Sequence, residues 1–196
     1  MFNVEGTTIT ISRGETGSMR VKANARRRDT GAAYIFGPRD RALFTIKGNN
    51  WQLRKLCEII CPIMTVTPAE RSGGAEPITA ALNKSTFNTA VGDQTSGTVT
   101  LTYTSAWSED PADYGIVVTG TPVSGDEISV EFTRNMFTVA FAHSDTSNLT
   151  PGGYSWDVQY VINPYYDEDG EMVDGDQVII PNTPMGTQVL TVVGEF

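Results

Sequence analysis

Apolar and polar side chains alternate with a period of two along most of this chain, which predicts strands rather than helices. TTITISRGETG puts Ile9 and Ile11 on one face ahead of an R-G-E-T-G turn. SMRVKANA puts Met19, Val21 and Ala23 on one face, with Arg20 and Lys22 on the other. RALFTIKG alternates Ala42, Phe44 and Ile46 with Leu43, Thr45 and Lys47, and a further strand is expected from Leu53 to Ile60. MFTVAFA offers Phe137, Val139 and Phe141. The strongest pattern is LTPGGYSWDVQYVI. There Tyr154, Trp156, Val158, Tyr160 and Ile162 share a face behind a Pro-Gly-Gly turn, and Ser155, Asp157 and Gln159 share the other. Burying one such ring is worth roughly 2–3 kcal/mol, so this stripe is expected to face a core. An acidic hairpin, a strand QVII and a closing strand QVLTVV follow.

The middle of the chain reads differently. TVTPAERSGGAEP, residues 65–77, is rich in Pro, Gly and small polar residues and reads as a linker. Ser85 is placed to cap a short helix, STFNTAVG, ending at Gly92. Three patterned strands come next: TVTLTYT, YGIVVTG and EISVEFT, the last with Ile128, Val130 and Phe132 against Glu127, Ser129 and Glu131. Each flanking half has too few strands to be stable alone. The expected organisation is therefore a mainly β, antiparallel sandwich made of residues 1–64 and 134–196. Residues 65–133 are expected to be a small α+β domain inserted into it, an event tolerated at exposed hairpin tips.

At 196 residues the chain is long enough for one large or two small domains. No basic segment followed by an apolar run opens it, and no apolar run approaches the roughly 18 residues of a membrane span, so a soluble, cytosolically made protein is expected. The net charge of −9 is unevenly spread. Residues 1–55 hold 11 Lys and Arg against 4 acids, a net of +7, and the remainder holds 3 against 19, a net of −16. Such opposition can steer head-to-tail assembly or be plain solvated surface. A nucleic-acid or membrane partner is not expected. Cys57 and Cys61, in LCEIICPIM, lack the two further ligands that zinc needs, since His143 is the one histidine. A disulfide between them in an extended segment would be strained, so reduced thiols are expected.

Few groups suggest chemistry. YYDEDGEMVDGD gathers Asp167, Glu168, Asp169, Glu171, Asp174 and Asp176, loosely like a calcium loop. Its Gly falls too early and no bidentate Glu closes it. Acids crowded at a hairpin tip also do not give a glycosidase its two carboxylates fixed across a cleft. His143 lies beside Ser144 and Asp145, but a triad converges in space rather than in sequence, and neither a G-x-S-x-G elbow nor a phosphate loop occurs. No catalytic residue, metal ligand or cofactor is therefore expected. The basic run Arg26, Arg27 and Arg28 has an acidic counterpart in Asp167, Asp169, Asp174 and Asp176. These seven residues form a candidate assembly interface between copies, the alternative being solvated loops.

ITISRGETGSMRV, RALFTIK, LTPGGYSWDVQYVI and GTQVLTVVGEF, in that order, resemble the N-terminal domain of phage baseplate upper proteins. That family carries an R-G-[DE]-T turn and a later P-x-G-x-Y-x-[WY]-D-[VI] strand. The similarity spans both host halves. SAWSEDPADYGIVVTGTPVSGDEISVEFT resembles a repeat of tail-fibre-like proteins from gut phages. The resemblance implies an Ig-like sandwich in a virion protein, assembled in the host bacterial cytoplasm and acting in the tail or baseplate. It also implies a homo-oligomer, a trimer or multiple of three, in contact with other virion proteins. One departure is that those proteins usually continue into a long stalk, whereas this sequence ends at Phe196. The insert then becomes the element to display, and a host-surface glycan a candidate partner for it. The alternatives are a capsid decoration or head-fibre protein, and a receptor- or carbohydrate-binding module.

Overall fold

Among the described residues strands predominate, joined by two short helices, so the chain is mainly β. The computed structural model describes residues 1–37, 39–48, 54–67, 77–82, 84–104, 114–119, 123–162, 165–166, 168, 172–173, 179–181 and 189–194. The first strands are β1 (Phe2–Glu5), β2 (Thr8–Ser12), β3 (Gly17–Lys22), β4 (Ala25–Arg27), β5 (Arg41–Gly48) and β6 (Lys55–Pro62). The middle adds β7 (Thr65–Thr67), β8 (Pro77–Leu82), α1 (Lys84–Val91), β9 (Ser96–Thr102), β10 (Tyr114–Thr119) and β11 (Glu127–Thr133). Then come β12 (Met136–Phe141), α2 (His143–Ser147), β13 (Gly152–Val161), β14 (Tyr165–Tyr166), β15 (Met172–Val173), β16 (Ile179–Pro181) and β17 (Val189–Val193).

Two compact units emerge. The first comprises Met1–Tyr34, Asp40–Pro62 and Met136–Phe196. The second comprises Ile35–Arg39 and Ile63–Asn135.

In the first unit a six-stranded sheet runs in the order β1-β2-β17-β13-β5-β6. The expectation of a wholly antiparallel architecture is corrected here: β17 runs parallel to β2, with Leu190 opposite Ile9 and Val192 opposite Ile11. The sheet is mixed because strands that meet from opposite ends of the sequence need no hairpin to join them. All four of these side chains are buried. The aromatic stripe of β13 faces inward as its alternation predicts. Trp156 stacks on Phe44 of β5 with ring centroids 5.2 Å apart, and its indole N–H donates to the Thr7 carbonyl at 3.0 Å. Phe44 also meets Phe141 of β12 edge-on at 5.6 Å, and Tyr160 meets Phe137 of β12 at 6.4 Å. The two T-shaped contacts, worth about 0.5–1.5 kcal/mol each beyond burial, bind the sheet to the β3–β12 pair.

Near the start of β13, Tyr154 turns back on the loop before it. Its hydroxyl donates to the Thr150 carbonyl at 2.6 Å. The R-G-E-T turn is fixed by α2. Gly14, at φ +71°, donates its N–H to the Thr146 hydroxyl at 3.0 Å, and the His143 Nδ1–H donates to the Gly14 carbonyl at 2.7 Å.

The second unit has its own core of Met64, Phe87, Val91, Leu101, Ile128, Val130 and Phe132. The sheet β7-β11-β9 turns Leu101, Ile128, Val130 and Phe132 toward Phe87 and Val91 of α1, and the helix ends at Gly92, φ +56°. The Arg134 side chain is 3% exposed, its guanidinium 5.6 Å from the Phe87 ring centroid and 5.7 Å from that of Phe132. A separate two-stranded sheet pairs β8 with β10. Residues 65–77, read from sequence as a linker, begin and end in strand, at β7 and at the first residue of β8; β7 pairs with β11 at Thr67–Glu131, Val66–Phe132 and Thr65–Thr133.

Candidate assembly interface

The basic run sits on an exposed hairpin. Two bonds close it: the Arg27 N–H donates to the Ala32 carbonyl at 2.8 Å, and the Gly31 N–H donates to the Arg27 carbonyl at 2.8 Å. Gly31 takes the positive φ of +68° that the reversal requires. Two of the three arginines are already engaged. Arg26 donates from Nη1 to the Gly31 carbonyl at 3.0 Å. Arg27 forks onto Asp29, Nε to Oδ1 at 3.2 Å and Nη2 to Oδ2 at 3.3 Å. That fork holds the Asp29 carboxyl below its usual range. Arg28 is exposed and has no side-chain partner among the described residues.

Asp167, Asp169, Asp174 and Asp176 lie outside the described residues. The described flanks of the acidic run pair antiparallel, with Tyr165 opposite Val173 and Tyr166 opposite Met172, and Glu168 is exposed. Further on, β16 pairs with β4, Ile179 opposite Arg27 and Ile180 opposite Arg26. The strand after the acidic run thus returns to the basic hairpin of the same chain.

The candidate nucleophiles and bases are used by the fold. Cys57 and Cys61 lie four residues apart on β6 as free thiols. Burial chiefly, with the Asp145 carboxylate beside it, pushes the Cys57 thiol up to about 11; burial alone pushes Cys61 up to about 11. Both stay protonated at neutral pH, and a protonated thiol is a poor nucleophile and a poor metal ligand. Asp145 also accepts from the Ala142 N–H at 2.7 Å, capping α2, while His143 holds Gly14. Among the described residues no group of three or more His, Cys, Asp or Glu could hold a metal ion.

Charges spaced by two are legible in the sequence only as the polar sides of strands. On β3 the outward side chains are Ser18, Arg20 and Lys22. On β11 they are Glu127, Ser129, Glu131 and Thr133. The signal was the alternation itself, since every second position of a half-buried strand projects to the same side. Hydroxyl-bearing side chains flank Glu131 in register, Thr67 on β7 and Thr98 on β9. This end of the sheet forms an open cleft of about 300 Å³.

No family model matches the chain, and no curated protein or solved structure matches it.

Proposed function

We propose that this chain is a bacteriophage virion structural protein that acts in tail or baseplate assembly through protein–protein contacts and catalyses no reaction. Its host fold is an Ig-like sandwich, discontinuous over residues 1–64 and 134–196, and residues 65–133 are a small α+β domain carried on it. The strand order supports the Ig-like reading. The run β17-β13-β5-β6 follows the G-F-C-C′ order of a variable-type sheet, and β3–β12 stands where strands B and E pair. The bond from the Tyr154 hydroxyl to the carbonyl four residues upstream supports it too, since it has the form of the tyrosine corner of such domains.

A sandwich alone does not set a function. The observation that carries the virion reading is that its resemblance motifs coincide with the joints of the first unit. The R-G-E-T turn is the one held under His143, and the P-x-G-x-Y-x-W-D strand makes the tyrosine corner and the Trp156 stack. The uneven charge, +7 over residues 1–55 and −16 over the rest, suits assembly into a homo-oligomer, a trimer or multiple of three, beside other virion proteins.

Immunogold labelling of purified particles tests the location. Gold at the tail tip supports the proposal, and gold over the head favours a decoration or head-fibre protein. Particles that carry no label at all, by an antibody that recognises the denatured chain in infected cells, refute a virion role.

A further inference from the structure

Two exposed sheet faces of opposite sign stand on the two units. Outward on β3 and β12, Arg20 lies opposite Thr138 and Lys22 opposite Met136; this face holds two cations and, among the described residues, no acid. Outward on β11, Glu127 and Glu131 stand among the Thr and Ser side chains of β7 and β9; this face holds two carboxylates and, among the described residues, no cation. Arg20, Lys22, Glu127 and Glu131 have no side-chain partner among the described residues.

We propose that these faces are the two halves of one interface between copies of this chain. The β3–β12 face of one copy docks head-to-tail on the β7–β11–β9 face of the next. This rests on the assembly reading above and names its partner as a second copy.

The chemistry on the two sides is complementary. Arginine and lysine offer donors only, whereas the cleft around Glu131 offers a carboxylate and the hydroxyls of Thr67 and Thr98, all able to accept. The spacing agrees as well. Arg20 and Lys22 are two residues apart on a strand, roughly 7 Å, which matches one step along β11 from Glu131 to Ser129 or Thr133. One cation then sits on the carboxylate and the other on a hydroxyl. Like meets like if either face is turned on its own copy, so the contact is heterologous and propagates into a ring or a filament. The chain's charge of −9 repels a second copy in most orientations, which makes the pairing of opposite faces the favoured approach. Exposed pairs add little affinity one by one, so these charges set orientation and encounter rate, and the Thr-rich surface around the cleft supplies the area.

The test is sedimentation velocity on the full chain at about 100 μM, in about 50 mM and about 500 mM salt. Two face variants are compared with it: Arg20→Glu with Lys22→Glu, and Glu127→Lys with Glu131→Lys. Circular dichroism and the thermal midpoint verify that both fold, as expected for exposed positions. The proposal expects the native chain to associate at low salt and each variant to associate at least roughly tenfold more weakly. An equimolar mixture of the two variants then regains association, because every + face again finds a − face. Native chain that stays monomeric at low salt, or variants that associate like the native chain, overturn the interface. A soluble oligosaccharide that binds the β7–β11–β9 face of a monomeric chain also overturns it and makes that face a glycan site. If purified particles contain the chain while the variants assemble normally, the interface falls and the virion role stands.

Discussion

Replacing Gly14 with Ala tests whether the R-G-E-T turn is a structural joint. Gly14 has φ +71°, and a Cβ built there would lie 2.6 Å from Cε1 and 2.8 Å from Nδ1 of His143. Holding an L-residue in the left-handed region costs about 1–2 kcal/mol. The exposed imidazole can swing away, so the overlap is relieved by losing the 2.7 Å bond to the Gly14 carbonyl, a further ~0.5–1.5 kcal/mol. The sum is about 1.5–3.5 kcal/mol. With a urea m-value of about 2 kcal/mol per M, the unfolding midpoint of the first unit should fall by about 0.8–1.8 M. Fluorescence of Trp156, in a background where Trp51 and Trp107 are Phe, reports on that unit through the stack on Phe44. A second arm separates the two contributions. In a His143→Ala background only the backbone cost remains, so Gly14→Ala should cost about 1–2 kcal/mol there. A penalty under about 0.5 kcal/mol in the native background, or an equal penalty with and without the imidazole, refutes the reasoning.

Three further outcomes follow from the same geometry. Tyr154→Phe should destabilise the first unit by about 1–2 kcal/mol in the same urea assay, since it deletes the donor to the Thr150 carbonyl and keeps the ring. Phe87→Ala should cost about 3–5 kcal/mol, because the ring is fully buried against Phe132 and lies by the Arg134 guanidinium; near-ultraviolet circular dichroism should record the loss of the second unit's packing. The thiols give a pH dependence. Both are held near 11 in the folded chain, above the usual thiol value, so the unfolded chain loses its protons first. Their stabilisation is complete below about pH 9 and disappears as pH rises toward about 11. Urea midpoints across that range should fall less steeply for the Cys57→Ala, Cys61→Ala variant.

Much of the strand set was legible because its apolar positions keep one face in water and the other in a core. Ile9 and Ile11, Ala42, Phe44 and Ile46, and Phe137, Val139 and Phe141 are all buried as their alternation implies. The predicted helix near Ser85 forms as α1, ending at Gly92 as expected, although it starts at Lys84, so Ser85 lies within it rather than capping it. Three features were not legible. The parallel pairing of β17 with β2 joins residues far apart in sequence, and no local pattern encodes it. The helix α2 was hidden in AHSDTSN, where polar residues look like a loop; its only local cue is Asp145, three residues after Ala142, which caps the backbone. The linker reading of 65–77 failed at Thr65–Thr67 and at Pro77. Those residues take strand geometry from their pairing partners: β11 for β7, and β10 for β8. The candidate interface was legible only as charge. Sequence could find Arg26, Arg27 and Arg28, but not that Asp29 and the Gly31 carbonyl already engage two of them.

The most direct test of the virion assignment is quantitative mass spectrometry of purified particles, with this chain's copies scaled to the major capsid protein. A tail or baseplate ring requires a small number of copies, in a multiple of three. Copies comparable with the capsid protein contradict the tail location, and complete absence from the particle contradicts the structural role itself.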